Sequence, residues 1–396
     1  MGCKVALGEI CSFSRGASIP RARMFDRGDY LYIHYGDLYK GFDVRIDVDN
    51  PQKPIPYIVD SETIREDQWL SDQDIVYVLT SETVDDLGHA FLFNNPDGLP
   101  AVAGTETTVV HVNRPDLVLP SYLNWLLQSD RFKRLLRQYV KGMKVFRVHP
   151  DDLARIEIEI PSIDDQRRVV GILDAIFERS LINNQINGYL AEQCEAIASH
   201  EEGCAVELAS LCDLVKDKAD YCEVNFDTYV STESLLPGKK GRQAPSSLPQ
   251  TGKVTVYKAG DILVSNIRPY FKKIWYADKE GTCSGDVLVF RAKQPEQSGY
   301  LYSCMRSDAF FNYVMKGAKG TKMPRGDKKQ MLTYKVAGNP GEATIDFIES
   351  ALNQASFASK ESHRLAALRD VLLPKLMLGE IDVSKINLAK LNSHLA

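Results

Sequence analysis

The chain has 396 residues, of which 44% are hydrophobic, and this length exceeds the usual size of a single hydrophobic core. No apolar run approaches the roughly 20 residues that cross a bilayer, so the composition excludes a membrane-spanning protein and predicts a cytoplasmic, globular one of two domains. The formal net charge of -5 argues against indiscriminate binding to nucleic acid, which needs an excess of Lys and Arg.

The first part of the chain is expected to form short strands and loops, followed by a helix. A helical start is predicted at the segment LGEIC from Leu7, and runs such as YLYIHYGDL predict strands. A helix of about 18 residues is expected to begin at Ser121 after Pro120, where the hydroxyl can cap free N–H groups. A basic string from Arg131 to Arg147 then holds seven Lys or Arg residues and no acid.

A strand, RIEIEIP, precedes a much longer predicted helix. Pro161 ends the strand, and Asp164 and Asp165 suit the positive end of a helix dipole. From Val169 to Ile197 apolar residues recur with the alternating four-and-three spacing of a coiled coil. The middle of this seam is polar, with Ser180, Asn183 and Asn187. Such residues cost stability but fix register, so they are expected where a helix must pair in one way.

The second part of the chain repeats the first, and several matched positions share one constant offset. The matched positions are Tyr122 and Tyr300, Gly142 and Gly320, Lys144 and Lys322, and Arg147 and Arg325. Upstream the register slips, since LGEIC at Leu7 is similar to LASLC at Leu208. A second long helix is predicted with an apolar seam from Ile345 to Leu372 and a polar centre at Ser359 and Ser362.

Two segments resemble the conserved regions of a known family. Residues 160–193, IPSIDDQRRVVGILDAIFERSLINNQINGYLAEQ, are similar to the central conserved region of the specificity subunits of type I restriction-modification systems. The segment LRDVLLPKLMLGEIDVS from Leu368 is similar to the distal conserved region. In overall organisation the resemblance extends over the whole chain. In sequence it is specific at these two segments.

The resemblance implies an α/β (α+β) fold of two target-recognition domains, related by the internal repeat and separated by two long antiparallel coiled-coil helices. The implied division is 1–160 for the first recognition domain, 161–203 for the central conserved spacer helix, 204–340 for the second recognition domain, and 341–396 for the distal spacer helix and C-terminal tail.

The resemblance also implies a chain without catalytic residues, metal or cofactor. Each recognition domain would read one half of a split target in double-stranded DNA, and the helices would set the spacing and dock modification subunits. Partner subunits would do the chemistry: modification subunits with S-adenosylmethionine, and restriction subunits with ATP and Mg²⁺. The second helix starts with VAGNPGEATIDFI and lacks the proline, acid and glutamine of Pro161, Asp165 and Gln166, so equal docking by both helices does not follow.

Both copies place a Gly-Lys loop directly after the predicted helix. Glycine allows close approach of the backbone, and Lys or Arg can donate to phosphates or to O6 and N7 of guanine. The residues predicted to bind DNA are Lys141, Lys144 and Arg147 in the first copy, and Lys319, Lys322 and Arg325 in the second. Further candidates lie in other loops: Arg15, Arg21, Lys240 and Arg268. The alternative interpretation of all of them is a solvated basic surface.

Two other classes of protein stay open at this stage. One is a stand-alone enzyme that modifies or cleaves DNA, although the sequence has no N-P-P-[FY] or D-P-P-Y signature and Asp327 in DKK supplies only a fragment of a nuclease centre. The other is an interaction scaffold built on the helix pair. Steep salt dependence of DNA affinity would argue against the scaffold.

Overall fold

The computed structural model describes residues 3–39, 41–59, 63–84 and 86–386. The chain divides into two units: the first combines Met1–Arg179 with Arg364–Ala396, and the second is the continuous segment Ser180–His363. Both units mix helices with strands. This division follows contacts rather than function, so the four-part division expected from the sequence stays a prediction.

The first unit contains five short helices and twelve strands among its described residues. Its helices are α1 (Leu7–Ile10), α2 (Tyr35–Leu38), α3 (Pro120–Gln128), α4 (Asp130–Arg137) and α5 (Pro150–Ala154). Its strands are β1 (Cys3–Ala6), β2 (Cys11–Arg15), β3 (Tyr30–Ile33), β4 (Arg45–Asp47), β5 (Tyr57–Ile58), β6 (Ile75–Val78), β7 (Thr80–Ser81), β8 (His89–Asn94), β9 (Ala101–Ala103), β10 (Thr107–Val112), β11 (Phe146–Arg147) and β12 (Glu157–Ile160).

A five-stranded sheet in the order β2-β10-β6-β8-β4 forms the centre of this unit. The central strand β6 reads IVYV and is buried at every position, as expected for β-branched and aromatic residues with neighbours on both sides. Smaller sheets join β1 to β12, β7 to β11, and β5 to β3 and β9. The helix α3 adds Trp125 and Leu123 to the buried residues.

Two helices replace the single, longer helix expected after Pro120, so that prediction is wrong. The Ser129 hydroxyl ends α3 by donating to Leu126 O at 2.6 Å and begins α4 by accepting from Phe132 N at 3.3 Å. The cap expected at Ser121 is also wrong, because Leu119 occupies the N-cap and has no side-chain acceptor. Its backbone N–H donates instead to the side chain of Gln166.

Two long helices contribute residues to both units. They are α6 (Ile163–His200) and α11 (Glu342–Met377). The long helix predicted after Pro161 is therefore present. Its start is held by Ser162, whose hydroxyl accepts a hydrogen bond from Asp165 N at 3.2 Å. No helix in the described ranges is long and apolar enough to cross a membrane.

The second unit contains four short helices and ten strands within the described part of the chain. In chain order they are β13 (Ala205–Glu207), α7 (Leu208–Leu211), β14 (Cys212–Leu214), β15 (Lys218–Asp220), β16 (Tyr229–Val230), β17 (Lys253–Tyr257), β18 (Ile262–Ser265), β19 (Ile274–Tyr276), β20 (Gly281–Cys283), β21 (Val287–Ala292), α8 (Ser298–Arg306), α9 (Asp308–Lys316), α10 (Lys328–Leu332) and β22 (Lys335–Ala337). The helix α11 follows them.

Two four-stranded sheets, β14-β21-β18-β19 and β15-β17-β20-β16, form the second unit, and β13 pairs with β22. The strand β18 is buried along its whole length, like β6 in the first unit. The break between α8 and α9 is made by Ser307, whose hydroxyl accepts from Phe310 N at 3.1 Å. Ser307 matches Ser129 at the offset of the internal repeat and has the same capping role.

Within the second unit, segments of α6 and α11 pack against each other and run antiparallel. Asn183 Nδ2 donates to Glu361 Oε2 at 2.7 Å, and Asn187 Nδ2 donates to Ser359 Oγ at 3.0 Å. Farther along, Thr344 Oγ1 donates to Glu201 Oε2 at 2.6 Å. Along these three contacts the first residue number rises from 183 to 201 while that of its partner falls from 361 to 344, as expected for antiparallel helices. Apolar residues between these contacts form a cluster that includes Cys194, Ala198, Ile348 and Ala351.

Candidate nucleic-acid interface

The first basic loop, residues 141–147, is closed by two backbone hydrogen bonds. Lys141 N donates to Arg147 O at 2.9 Å, and Arg147 N donates to Lys141 O at 2.8 Å. Gly142 has a φ of 117°, and a Cβ there would lie 2.0 Å from Val145 O. Glycine is therefore required for this tight turn. At its tip, Met143 is 95% exposed.

The second basic loop, residues 319–325, has the same backbone closure. Lys319 N donates to Arg325 O, and Arg325 N donates to Lys319 O, both at 2.9 Å. Gly320 has a φ of 103° and so adopts the same unusual conformation as Gly142. Two loops at matched positions of the repeat thus share their length, their closing pair and their glycine.

Each loop is also fixed to a neighbouring segment of its own unit. Arg147 pairs with Thr80 in the two-stranded sheet of β7 and β11. In the second unit Arg325 forms the corresponding bridge with Ile267. The backbone of each arginine is therefore held on two sides, by the lysine that closes the loop and by a second strand segment.

The two arginine side chains make equivalent ion pairs. Arg147 Nη2 lies 3.2 Å from Glu106 Oε1, and Arg325 Nη2 lies 3.2 Å from Asp286 Oδ1. The arginine side chains are 59% and 58% exposed. A guanidinium carries five N–H donors, so one contact through Nη2 leaves donors for another acceptor.

The lysines of the loops are exposed and differ in their partners. Lys141 Nζ lies 2.7 Å from Asp152 Oδ2, and its hydrogen bond is the main cause that lowers the pKa of the Asp152 carboxyl. Lys319 Nζ lies 3.6 Å from Asp327 Oδ2. Lys144 and Lys322 are exposed at the two tips, where phosphates can approach them.

The four additional candidates lie in different surroundings. Arg268 is next to the second basic loop, because its backbone N–H donates to Pro324 O at 2.8 Å. Lys240 is exposed in the loop before Arg242. Arg15 ends β2, and Arg21 lies 3.6 Å from the buried carboxylate of Asp37. Among the hydrogen bonds and ion pairs of the described residues, none joins Arg15 or Arg21 to the first basic loop.

Sequence reasoning missed the two acids, Glu106 and Asp286, because it searched for cations. Each acid directly precedes a strand of its unit's sheet, Glu106 before β10 and Asp286 before β21. The sequence feature that could have identified them is an acid directly before each of two similar runs, TTVVHV and VLVFRA. Sequence alone did not reveal that each acid meets the loop arginine.

A mixed α/β chain with long helices and matched basic loops has the features of a protein that provides DNA sequence specificity. Residues 3–191 match the family described as the type I restriction modification DNA specificity domain. This part of the chain therefore matches the family that the resemblance at the central segment had indicated.

Two known proteins are similar to this chain. The type I restriction enzyme EcoDI specificity subunit of Escherichia coli is 20% identical over 324 residues, which are 68% of this chain and 72% of that protein. The crystal structure of the S subunit of a type I restriction-modification system from M. genitalium aligns with a TM-score of 0.54 at 14% identity. The alignment covers 95% of this chain and 96% of that one, and it supports the fold.

Proposed function

We propose that the chain is a non-catalytic specificity subunit whose two units each read one half of a split target in double-stranded DNA. The observation that carries the proposal is the pair of basic loops, 141–147 and 319–325, which have the same backbone closure and the same arginine at the closing position. Exposed Lys and Arg on a rigid loop suit both phosphate contact and bidentate reading of guanine. In this proposal the two units are repeats of one recognition domain.

The proposed partners are modification subunits and restriction subunits. S-adenosylmethionine, ATP and Mg²⁺ would be used by these partners and not by this chain. Exposed apolar residues on the long helices support docking: Leu368, Val371 and Leu378 on and just after α11, and Ile182 and Tyr189 on α6. Leu368 and Val371 lie on one face of α11, because they are three residues apart within the helix.

The proposal is tested by co-expressing the chain with the modification subunits and mapping methylated adenines on random DNA. A split motif with a fixed gap is expected. A contiguous motif, or the absence of methylation by an assembled complex, would contradict the proposal. The purified chain, incubated with DNA and either S-adenosylmethionine or Mg²⁺, is expected to give no product; methyl transfer or cleavage would instead favour a stand-alone enzyme.

Replacing the loop arginines separates the two half-sites. We expect Arg147→Ala to weaken discrimination in one half-site only, by about 5- to 150-fold at the affected base, and Arg325→Ala to do so in the other half-site. Each variant is the matched control of the other. Methylation mapping with the complex measures both effects, and loss of the same preference in both variants would contradict one reader per unit.

A further inference from the structure

We propose that Glu106 and Asp286 are positioning residues that orient Arg147 and Arg325 for base reading. The inference rests on the proposed function, since it concerns the same two loops. It goes further by separating the two arginines, which read bases, from Lys144 and Lys322 at the loop tips, which contact phosphates, and by assigning a role to two acids on a basic surface.

The first argument is the repeated geometry. In each unit the acid lies in the turn before a central strand, β10 or β21, and contacts the terminal Nη2 of the loop arginine. The contact distance is 3.2 Å in both units, although one acid is Glu and the other is Asp. Glu106 has a longer side chain than Asp286, yet both contact Nη2 of the loop arginine. The feature that the two units share is therefore this contact and not the type of acid.

The second argument is electrostatic. A surface that only neutralises phosphates gains nothing from a carboxylate beside its cation, because the acid repels the phosphate and competes for the guanidinium. Reading guanine is different, since the planar guanidinium must be turned so that two N–H groups meet O6 and N7. An acid that holds Nη2 restricts this rotation while other donors stay available.

The third argument is that both ends of each arginine are held. The backbones of Arg147 and Arg325 are fixed by paired hydrogen bonds to Lys141 and Lys319, and the acids hold the far ends of the side chains. In contrast, Lys144 and Lys322 are exposed at the tips of the loops. A flexible ammonium group suits phosphate contact, whereas an oriented guanidinium suits base recognition.

The test uses the full chain, alone and assembled with modification subunits, and a library of duplexes carrying every single-base change in both half-sites. The variants are Glu106→Ala, Glu106→Gln, Asp286→Ala and Asp286→Asn. Asp97→Asn and Glu280→Gln serve as matched controls, because both acids are exposed and precede other segments of their units. The readouts are total DNA affinity and the preference at each base.

We expect Glu106→Ala to reduce the preference at one base of one half-site by about tenfold, with total affinity for unrelated DNA unchanged or higher. Asp286→Ala should do the same in the other half-site. The Gln and Asn variants keep an acceptor atom and should lose less of the preference. The two control variants should keep the preference at every base.

A uniform rise in affinity with every base preference intact would overturn the inference, because it would show that the acids only lower the local positive charge. The arginine variants distinguish this failure from failure of the proposed function. If Arg147→Ala removes a base preference but Glu106→Ala does not, the positioning role is wrong and the reading role stands. If neither arginine variant changes any preference, the assignment of the loops is wrong.

Discussion

His34 occupies the N-cap of the short helix α2, and its imidazole is part of that cap. Nδ1 accepts a hydrogen bond from Gly36 N at 3.2 Å, so the capping form of the ring is neutral. Burial is the main cause that lowers the pKa of His34 below its ordinary value of 6.5, while Asp37 acts in the opposite direction. Folding therefore favours the neutral ring.

The replacement His34→Asn should remove a pH dependence of stability. The lowered pKa means that the contribution of His34 is present above pH 6.5 and is lost as the pH falls through the lower pKa of the folded protein. Asn keeps an acceptor for Gly36 N at every pH. The wild type should therefore lose stability relative to the variant on acidification, measured as unfolding midpoints in urea between pH 7.5 and 5.

His363→Asn is the control for this prediction, because His363 is exposed on α11. This variant should follow the wild type across the whole pH range. If His34→Asn also gives a curve parallel to that of the wild type, protonation of the cap contributes nothing measurable to stability.

At the residue scale, the sequence showed that the loop cations occupy matched positions of the repeat, but it did not show their contacts. The six loop cations could be placed at matched positions because Gly, Lys and Arg recur at a fixed offset. The contacts of Arg147 with Glu106 and of Arg325 with Asp286 could not, since each joins residues about 40 apart in sequence. Such pairs depend on how the strands are arranged in the sheet and leave no local pattern.

Gln166 links three segments of the chain at the start of α6. Its side chain is fully buried and makes three hydrogen bonds: Oε1 accepts from Leu119 N, and Nε2 donates to Leu117 O and Pro161 O. One side chain thus supplies an acceptor for the first turn of α3 and ties that turn to the end of the preceding strand, β12.

The change Gln166→Ala should destabilise the first unit by about 2–3 kcal/mol, because it leaves a buried N–H and two carbonyl groups without a partner. For a unit of this size the melting temperature should fall by roughly 5–10 °C in a calorimetric scan. Gln185→Ala, at an exposed position of the same helix, should change it little. Equal melting temperatures for the two variants would show that water replaces the amide without cost.

At the element scale, the long helices were predictable because their periodicity extends over many residues. The break between α3 and α4 was not, since it depends on one hydroxyl group at Ser129 that both ends one helix and begins the next. Serine has only a weak preference within a helix, so the sequence YLNWLLQSDRF suits one helix or two. The equivalent break at Ser307 shows that the choice is made in the same way in both units.

At the scale of the whole molecule, the proposal that the helices set the gap between half-sites predicts an effect of helix length. Seven residues inserted after Arg179 in α6 and seven after His363 in α11 would lengthen each helix by about 10 Å while nearly keeping its apolar face. At about 3.4 Å per base pair, the gap in the methylated motif should grow by about three base pairs.

An insertion in only one helix is the control for this experiment. The pairs Asn183–Glu361 and Asn187–Ser359 lie on the same side of both insertion points and keep their register. Beyond the insertion, however, the lengthened helix no longer matches its unchanged partner, so a single insertion should reduce methylation rather than lengthen the gap. A gap of unchanged length in the double insertion would remove the helices as the spacing device.

The discontinuity of the first unit was the whole-molecule feature that the sequence did not predict. It arises from contacts such as Arg369 Nη1 with Asp43 Oδ2 at 3.3 Å and Arg168 Nη1 with Ser384 O at 3.3 Å, which join residues more than 200 positions apart. The internal repeat suggested two units that follow one another along the chain. A repeat identifies the residues that are copied, but it does not show that a late segment of the chain packs with an early unit.

The composition of the first unit has a consequence for biosynthesis. A ribosome makes the residues of the second unit as one uninterrupted stretch, but it must pass Arg364 before the first unit has all its parts. The first unit is therefore completed after the second unit, although most of its residues are made earlier. A premature stop codon directly after His363 would leave the residues of the second unit whole and would remove the segment Arg364–Ala396 from the first unit.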